Sequence, residues 1–198
     1  VMVCAKNETS HWRLGKQFEQ RRTRKRYVAL VHGNVEPLAD VIDLPLGKHP
    51  TIRHCNAVRW DETGKEAVTL YRVLEQYGDF TLLEIELRTG RTHQIRVHLS
   101  HLGWPIAGDD MYGGRHIEVR DLLPSGQSSG DRRRVVLARQ ALHAAMLGFT
   151  HPSAETDVEY RAPLPEDISN LIHILRDRGP VDRPTVAGTV LAVDDLME

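Results

Sequence analysis

Residues 66–88, EAVTLYRVLEQYGDFTLLEIELR, constrain the fold more than any other stretch of the chain. Two alternating runs rich in β-branched and aromatic residues flank Gly78-Asp79. Strict alternation on either side of a two-residue, glycine-containing break predicts a β-hairpin, with Tyr77 and Phe80 closing its ends. After Arg88 the period changes. Ile95, Leu99 and Leu102 stand at i, i+4 and i+7, a helical spacing, and Gly103 and Pro105 stop it. The hairpin's second strand therefore runs into a helix from about Thr92 to Leu102.

The remaining segments follow the same logic. VMVCA alternates and predicts a strand at residues 1–5. Thr9 or Ser10 can cap a helix to about Thr23, with Leu14 and Phe18 on its inner face. YVALVHG, residues 27–33, is apolar on both alternating faces and predicts a central buried strand. Residues 34–50 carry Pro37, Pro45 and Pro50, so loop with short extended pieces is expected. The Gly/Ser-rich, charged stretch 115–134 predicts a mobile loop. ALHAAMLGF and VEYRAP fit a second hairpin with its turn at 151–157, although the alanine-rich first run also suits a helix. PEDISNLIHILRDRG predicts a helix with Pro165 at its first position and Gly179 as its stop. The last 18 residues hold little that must pack. Hairpins in place of regular βαβ units predict an α+β fold, a mixed, largely antiparallel sheet with flanking helices.

Composition narrows the function classes. A chain of 198 residues suffices for one domain with a real core. No apolar run approaches a membrane span, and no signal-peptide pattern opens the chain. Cys4 and Cys55 form no spaced pair, which predicts reduced thiols and a cytoplasmic protein. The net charge of −1 requires any nucleic-acid partner to be met by a local basic patch. Arg21, Arg22, Arg24, Lys25 and Arg26 form one such run, which as a helix end would equally suit solvent and the helix dipole. The chain opens in mid-element without an initiating Met, so a fragment is expected.

LRTGRTHQIRVHLSHLGWPIAGDDMYGG, residues 87–114, concentrates polar groups among apolar ones. Solvated surface, metal site and phosphate-handling site are the alternatives. His93, His98 and His101 have spacings of five and three, and only the latter two share a face; no HExxH and no Cys pair occurs. No metal is therefore expected. No G-x-S-x-G is present, and GKEAVT lacks the upstream glycine of a phosphate loop. Arg91 falls where strand turns to helix, among free N–H groups suited to an anion. Arg96 lies next to the packed stripe and wants a carboxylate or phosphate, or else forms a structural salt bridge.

RTGRTHQIRVHLSHLGWPIAGDDMYGG closely resembles the signature of RluA-type RNA pseudouridine synthases. KRYVALVHG is similar to the family's K-x-Y-x-A-x-V-x-G strand. GKEAVTLYRVL resembles its segment before the long hairpin, and RQALHAAMLGFTHP with YRAPLP its C-terminal motif. VMVCAK is similar to the tail of a T-S-G-x-x-x-x-A-K segment. The motifs occur in the family's order over residues 1–168.

The resemblance implies isomerisation of uridine to pseudouridine in ribosomal or transfer RNA, without cofactor or metal. It implies a catalytic aspartate in H-R-L-D-x-x-T-S-G a few residues before Val1, absent here, so the chain by itself is expected to be inactive. Arg96 matches the arginine that pairs with that carboxylate. Tyr27 matches the tyrosine that stacks on the target uracil and is implicated in proton removal from C5. Arg91, His93 and Gln94 are expected to shape the pocket or contact phosphate; Arg21, Arg22, Arg24 and Lys25, with Arg132 to Arg134, are expected to contact RNA. Asp109 matches a Gly-Asp turn, structural in role. Residues 1–178 are expected to form a partial synthase catalytic domain and 179–198 a C-terminal tail, in a monomer whose partner is RNA and not a membrane. The alternatives are a non-catalytic RNA-binding remnant of the same fold and, more distantly, a metal-dependent hydrolase using the histidines.

Overall fold

The computed structural model describes residues 1–122 and 131–197. Along the chain run helix α1 (Glu8–Glu19) and strands β1 (Arg24–His32), β2 (Ala39–Asp43), β3 (Leu46–Lys48), β4 (Asn56–Val58), β5 (Val68–Gln76) and β6 (Phe80–Leu87). Helix α2 (Gln94–His101) follows, then β7 (Ile117–Glu118), α3 (Val119–Leu122), β8 (Val135–Leu137), β9 (Leu142–Thr150), β10 (Asp157–Arg161), α4 (Glu166–Arg178) and α5 (Val193–Met197). Six strands form one sheet in the order β10-β9-β1-β6-β5-β2, with every ladder antiparallel. β3–β4 and β7–β8 are separate two-stranded ribbons. The fold is the α+β class expected.

The β5–β6 hairpin forms where alternation places it. The Tyr77 N–H donates to the Phe80 carbonyl at 2.9 Å. Gly78 takes φ +85°, a left-handed turn position that a side chain would strain. Tyr71 faces Ile85 and Val73 faces Leu83 across the ladder. Because side chains alternate, one face presents Thr69 and Tyr71 to α2 and Trp104; His98 bonds Thr69 and the Trp104 ring meets Tyr71 edge-on. The other presents Arg72 and Glu84 to residues 187–191. β1 is central, and Val28 to Val31 are 0–2% exposed. The 142–161 segment is the second hairpin, in strand form: β9 pairs on both sides, and an alanine-rich run is no obstacle to a strand buried there.

Several expectations are corrected. Residues 1–5 pair as no strand; Val1, Val3 and Ala5 instead lie against Leu14, Leu147 and Phe149. α1 is capped by Asn7, whose side chain accepts the Ser10 N–H, because three competing cap residues left the register open. It ends at Glu19 rather than about Thr23, and Phe18 is exposed while Leu14 is buried. The basic run is thus a turn and the start of β1, not a helix end. Within 115–134, Ile117–Glu118 and Val119–Leu122 are ordered as β7 and α3; residues 123–130 lie outside the described residues. Residues 181–197 do pack. Leu191, Val193 and Leu196 enter the main core, and Val181 and Met197 flank it. Among the described residues no helix is long and apolar enough to cross a membrane.

Candidate active site

The turn from β6 into α2 is built from side-chain amides and hydroxyls. Gln94 Oε1 accepts the Thr89 hydroxyl at 2.8 Å and the Arg91 N–H at 2.9 Å. Gln94 Nε2 donates to the Val68 carbonyl and to Thr69 Oγ1, both at 3.0 Å. Four bonds exhaust an amide. Gln94 is only 2% exposed. It was expected to shape the pocket or contact phosphate; it is buried, and it fixes the backbone at Arg91. Thr69 continues the chain to His98 Nδ1 at 2.9 Å, and His98 Nε2 donates to the Leu44 carbonyl at 3.0 Å. Burial pushes the His98 pKa down, which keeps the ring neutral. With both ring nitrogens engaged, His98 leaves the histidine set a metal would need. His93 enters α2 with φ +58°, and its Nδ1 lies 2.8 Å from the Tyr112 hydroxyl. Its pKa is lowered by burial and then by the Arg96 charge.

Arg96 finds its acidic partner within the chain. Its Nε donates to Asp109 Oδ2 at 2.6 Å and its Nη2 to Oδ1 at 2.7 Å, a two-pronged pair with both groups buried. The Arg96 guanidinium carbon lies 4.7 Å from the Tyr112 ring centre. The Asp109 turn tolerates no bulk: Gly108 has φ +79°, and a Cβ there would fall 2.0 Å from the Arg139 carbonyl oxygen. Asp109, read in sequence as a turn residue, is therefore the anchor of Arg96 as well.

Tyr27 and Lys25 are two apart on β1 and share its α2-side face. Tyr27 is half-buried between Ile85 and Ala144, and burial raises its pKa. The Lys25 ammonium reaches to 3.9 Å from where a Gly90 Cβ would stand, beside Arg91. Lys25 has no carboxylate partner among the described residues, and burial lowers its pKa. The Val1 ammonium donates to the carbonyl of Ala144, directly across the ladder from Tyr27.

The other basic residues divide. Arg21 pairs with the Glu66 carboxylate at 2.9 Å, and the Glu66 carbonyl accepts Arg91 Nε at 3.0 Å, so Arg21 stands close to the Arg91 turn. Arg24 turns to Asp157 at 3.8 Å, and Arg26 is committed to Glu84 and Glu86 inside the sheet. Arg22 has no ion pair among the described residues. The structure thus places Arg21 and Lys25 at the Arg91 turn, turns His93 to Tyr112 and sends Arg24 elsewhere. Sequence reasoning missed Tyr112, whose hydroxyl also accepts the Asn56 N–H at 3.0 Å, and Asn56, whose Nδ2 donates to the Thr92 carbonyl at 2.7 Å. Tyr112 follows a Gly-Asp turn by three residues, a usable signal; Asn56 has none, being 36 residues from its partner.

The family model for RNA pseudouridylate synthase matches residues 1–101. An uncharacterized RNA pseudouridine synthase of Bacillus subtilis (strain 168) is 41% identical over 179 residues, covering 90% of this chain and 53% of the relative. A ribosomal large subunit pseudouridine synthase D of Nitrosomonas europaea is 41% identical over 186 residues, covering 93% and 51%. The chain spans about half the length of the curated relatives it matches. The solved structure of human RNA pseudouridylate synthase domain containing 4 aligns with a TM-score of 0.67 at 25% identity, over 90% of this chain and 70% of that one. The solved structure of human RNA pseudouridylate synthase domain containing 1 aligns with a TM-score of 0.61 at 28% identity, over 87% of this chain and 73% of that one. The motif order, the antiparallel sheet and these likenesses agree: the chain belongs to the RNA pseudouridylate synthase family, as an RluA-type member.

Proposed function

We propose that this chain supplies most of the catalytic domain of an enzyme that isomerises uridine to pseudouridine in RNA, ribosomal RNA first among candidates given the relative from Nitrosomonas europaea. The C1′–N1 glycosidic bond breaks, the uracil turns, and C1′ rejoins the ring at C5; the C5 proton is lost and N1 gains one, so atoms balance. The target base must leave its stack to reach the site, at a cost of a few kcal/mol. Tyr27 offers its ring to the flipped uracil and stands near C5 for the proton step. The observation that carries this reading is the placement of Tyr27. It is half-buried on the face that meets the Arg91 turn, with Val1 hydrogen-bonded to the residue opposite it. Residues preceding Val1 would emerge at that place, and we assign the nucleophilic aspartate to them.

In this reading Arg96 acts as a positioning residue. Two of its nitrogens hold Asp109, which fixes the loop that carries Tyr112. Arg91 is the guanidinium more open to an incoming carboxylate or phosphate, because only its Nε is bonded. Gln94 serves by holding the Arg91 backbone. The test compares the 198-residue chain with a version extended through H-R-L-D-x-x-T-S-G, on ribosomal RNA, by counting pseudouridine formed. The extended protein is expected to turn over and the chain alone is not. Turnover by the chain alone sinks the assignment of the nucleophile. RNA binding without turnover by the extended protein favours the non-catalytic RNA-binding reading.

A further inference from the structure

The ribbon β3–β4 and the segment after it wall a cleft of about 570 Å³ against the Gly90–Thr92 turn. This is within the roughly 300–1,000 Å³ of small-molecule sites. Its walls include Lys48, His49, Arg59, Lys65 and Arg91, and no carboxylate. Arg59 is neutralised by Asp61 outside the cleft lining. Lys48 and Lys65 are exposed and have no acidic partner among the described residues. His49 Nδ1 accepts the N–H groups of Thr51 and Ile52, which leaves Nε2 open. The ribbon is pinned to the turn through Asn56, bonded to Thr92 and Tyr112. Next to Arg59, Trp60 is 74% exposed, and at the ribbon tip Ile52 is 53% exposed. Trp60 stands outside the cleft lining, and a ring so exposed serves no packing purpose.

Unpaired cations recruit a polyanion, and a bare indole at the cleft's outer wall, next in sequence to Arg59, gives a base a surface to stack on. We propose that the ribbon cleft holds a single-stranded RNA segment flanking the isomerised nucleotide. Lys48 and Lys65 take its phosphates and Trp60 takes one of its bases. The inference rests on the RNA reading above and deepens it: the strand beyond the target is gripped on the β3–β4 side, and Arg91 stands at the border between that grip and Tyr27. The grip sets which nucleotide reaches Tyr27, since phosphate contacts fix register.

Fluorescence anisotropy of a labelled single-stranded RNA of mixed sequence, with the full protein at several potassium chloride concentrations, tests this. Lys48→Ala/Lys65→Ala is expected to lower the slope of log Kd against log salt by about 1.4, at about 0.7 per phosphate on a single strand. Trp60→Ala is expected to weaken binding about tenfold with the slope unchanged. Arg13→Ala/Lys16→Ala is the charge-matched control. These residues lie on α1, which packs on Thr150 and Pro152 at the β9–β10 end of the sheet, away from the ribbon. If the wild type binds and isomerises RNA while the lysine pair changes no more than the control, the cleft assignment falls and the activity stands. If the wild type binds no RNA, both fall. Competition by polyglutamate as effective as RNA, with no effect of Trp60→Ala, also overturns the assignment.

Discussion

Arg96 and Asp109 show how a residue's neighbours set its chemistry. Their doubly bonded, buried pair leaves an uncompensated charge when either is cut. Asp109→Ala is therefore expected to cost about 3–5 kcal/mol in urea unfolding, and Arg96→Met/Asp109→Leu much less than the sum of the single changes. Additive losses would show that the two do not act as a pair. His98 makes a second case. Its pKa is lowered from 6.5 by burial, so the unfolded chain takes up the proton first. The stability this contributes is present above about pH 6.5 and is lost as pH falls through that value toward the folded pKa. His98→Gln is expected to reduce the slope of unfolding free energy with pH below 6.5, without abolishing it, because burial also lowers the pKa of His32 and His143. An unchanged slope would refute this role. Sequence could mark Arg96 as needing an acid, but Asp109 lies 13 residues on, beyond a helix and a proline turn. Its place in the motif suggested that Gln94 shapes the pocket or contacts phosphate; four partners contributed by three other residues and its own turn made it a buried clamp.

Among the elements, those that depend on local periodicity were legible. The β5–β6 hairpin, central β1, α2 and α4 follow from alternation or 3.6-residue spacing and from turn residues. β2 was legible only as a short extended piece, because its place at the sheet edge comes from pairing with β5, about 30 residues away. The Asp109 turn lies between these cases. GDD marks a turn, but only packing brings Gly108 within touching distance of the Arg139 carbonyl. Gly108→Ala is expected to destabilise the protein by about 1–3 kcal/mol through backbone strain and to loosen the Arg96–Asp109 pair. Thermal unfolding reads the first effect and hydrogen exchange at Asp109 and Gly114 the second. Wild-type exchange there would count against the coupling.

At the scale of the whole molecule, the C-terminal segment closes the sheet. Glu84 is fully buried and accepts the N–H groups of Val190 and Leu191 at 2.9 and 2.7 Å, while Arg26 and Arg72 lie beside its other oxygen. Buried Glu75 is held by Arg176 and Arg183, and Arg176 also reaches Asp194 at 2.8 Å. Ending the chain at Pro180 removes Leu191, Val193 and Leu196 from the core. It also takes both backbone N–H donors from Glu84 and the Arg183 partner from Glu75. At about 1.5–3 kcal/mol for each buried aliphatic side chain, the shortened protein is expected to lose several kcal/mol, read as a lower urea midpoint. An unchanged midpoint would restore the expectation that these residues need not pack. That expectation failed because the segment is apolar only at scattered positions, with no period to announce a buried face.

The sequence by itself determined the class of fold, the main hairpins, the family and the residue types of the site, because periodicity, turn chemistry and motif spacing are properties of neighbours along the chain. The tertiary structure decided which polar groups are spent on the scaffold and which stay open. It buried Gln94 and His98, neutralised Arg96 with Asp109, covered Glu84 with the C-terminus, and left Lys25, Lys48, Lys65 and Arg91 without a carboxylate in hydrogen-bonded contact among the described residues. Those outcomes depend on desolvation and on partners far apart in sequence, and only folding brings such partners within bonding distance.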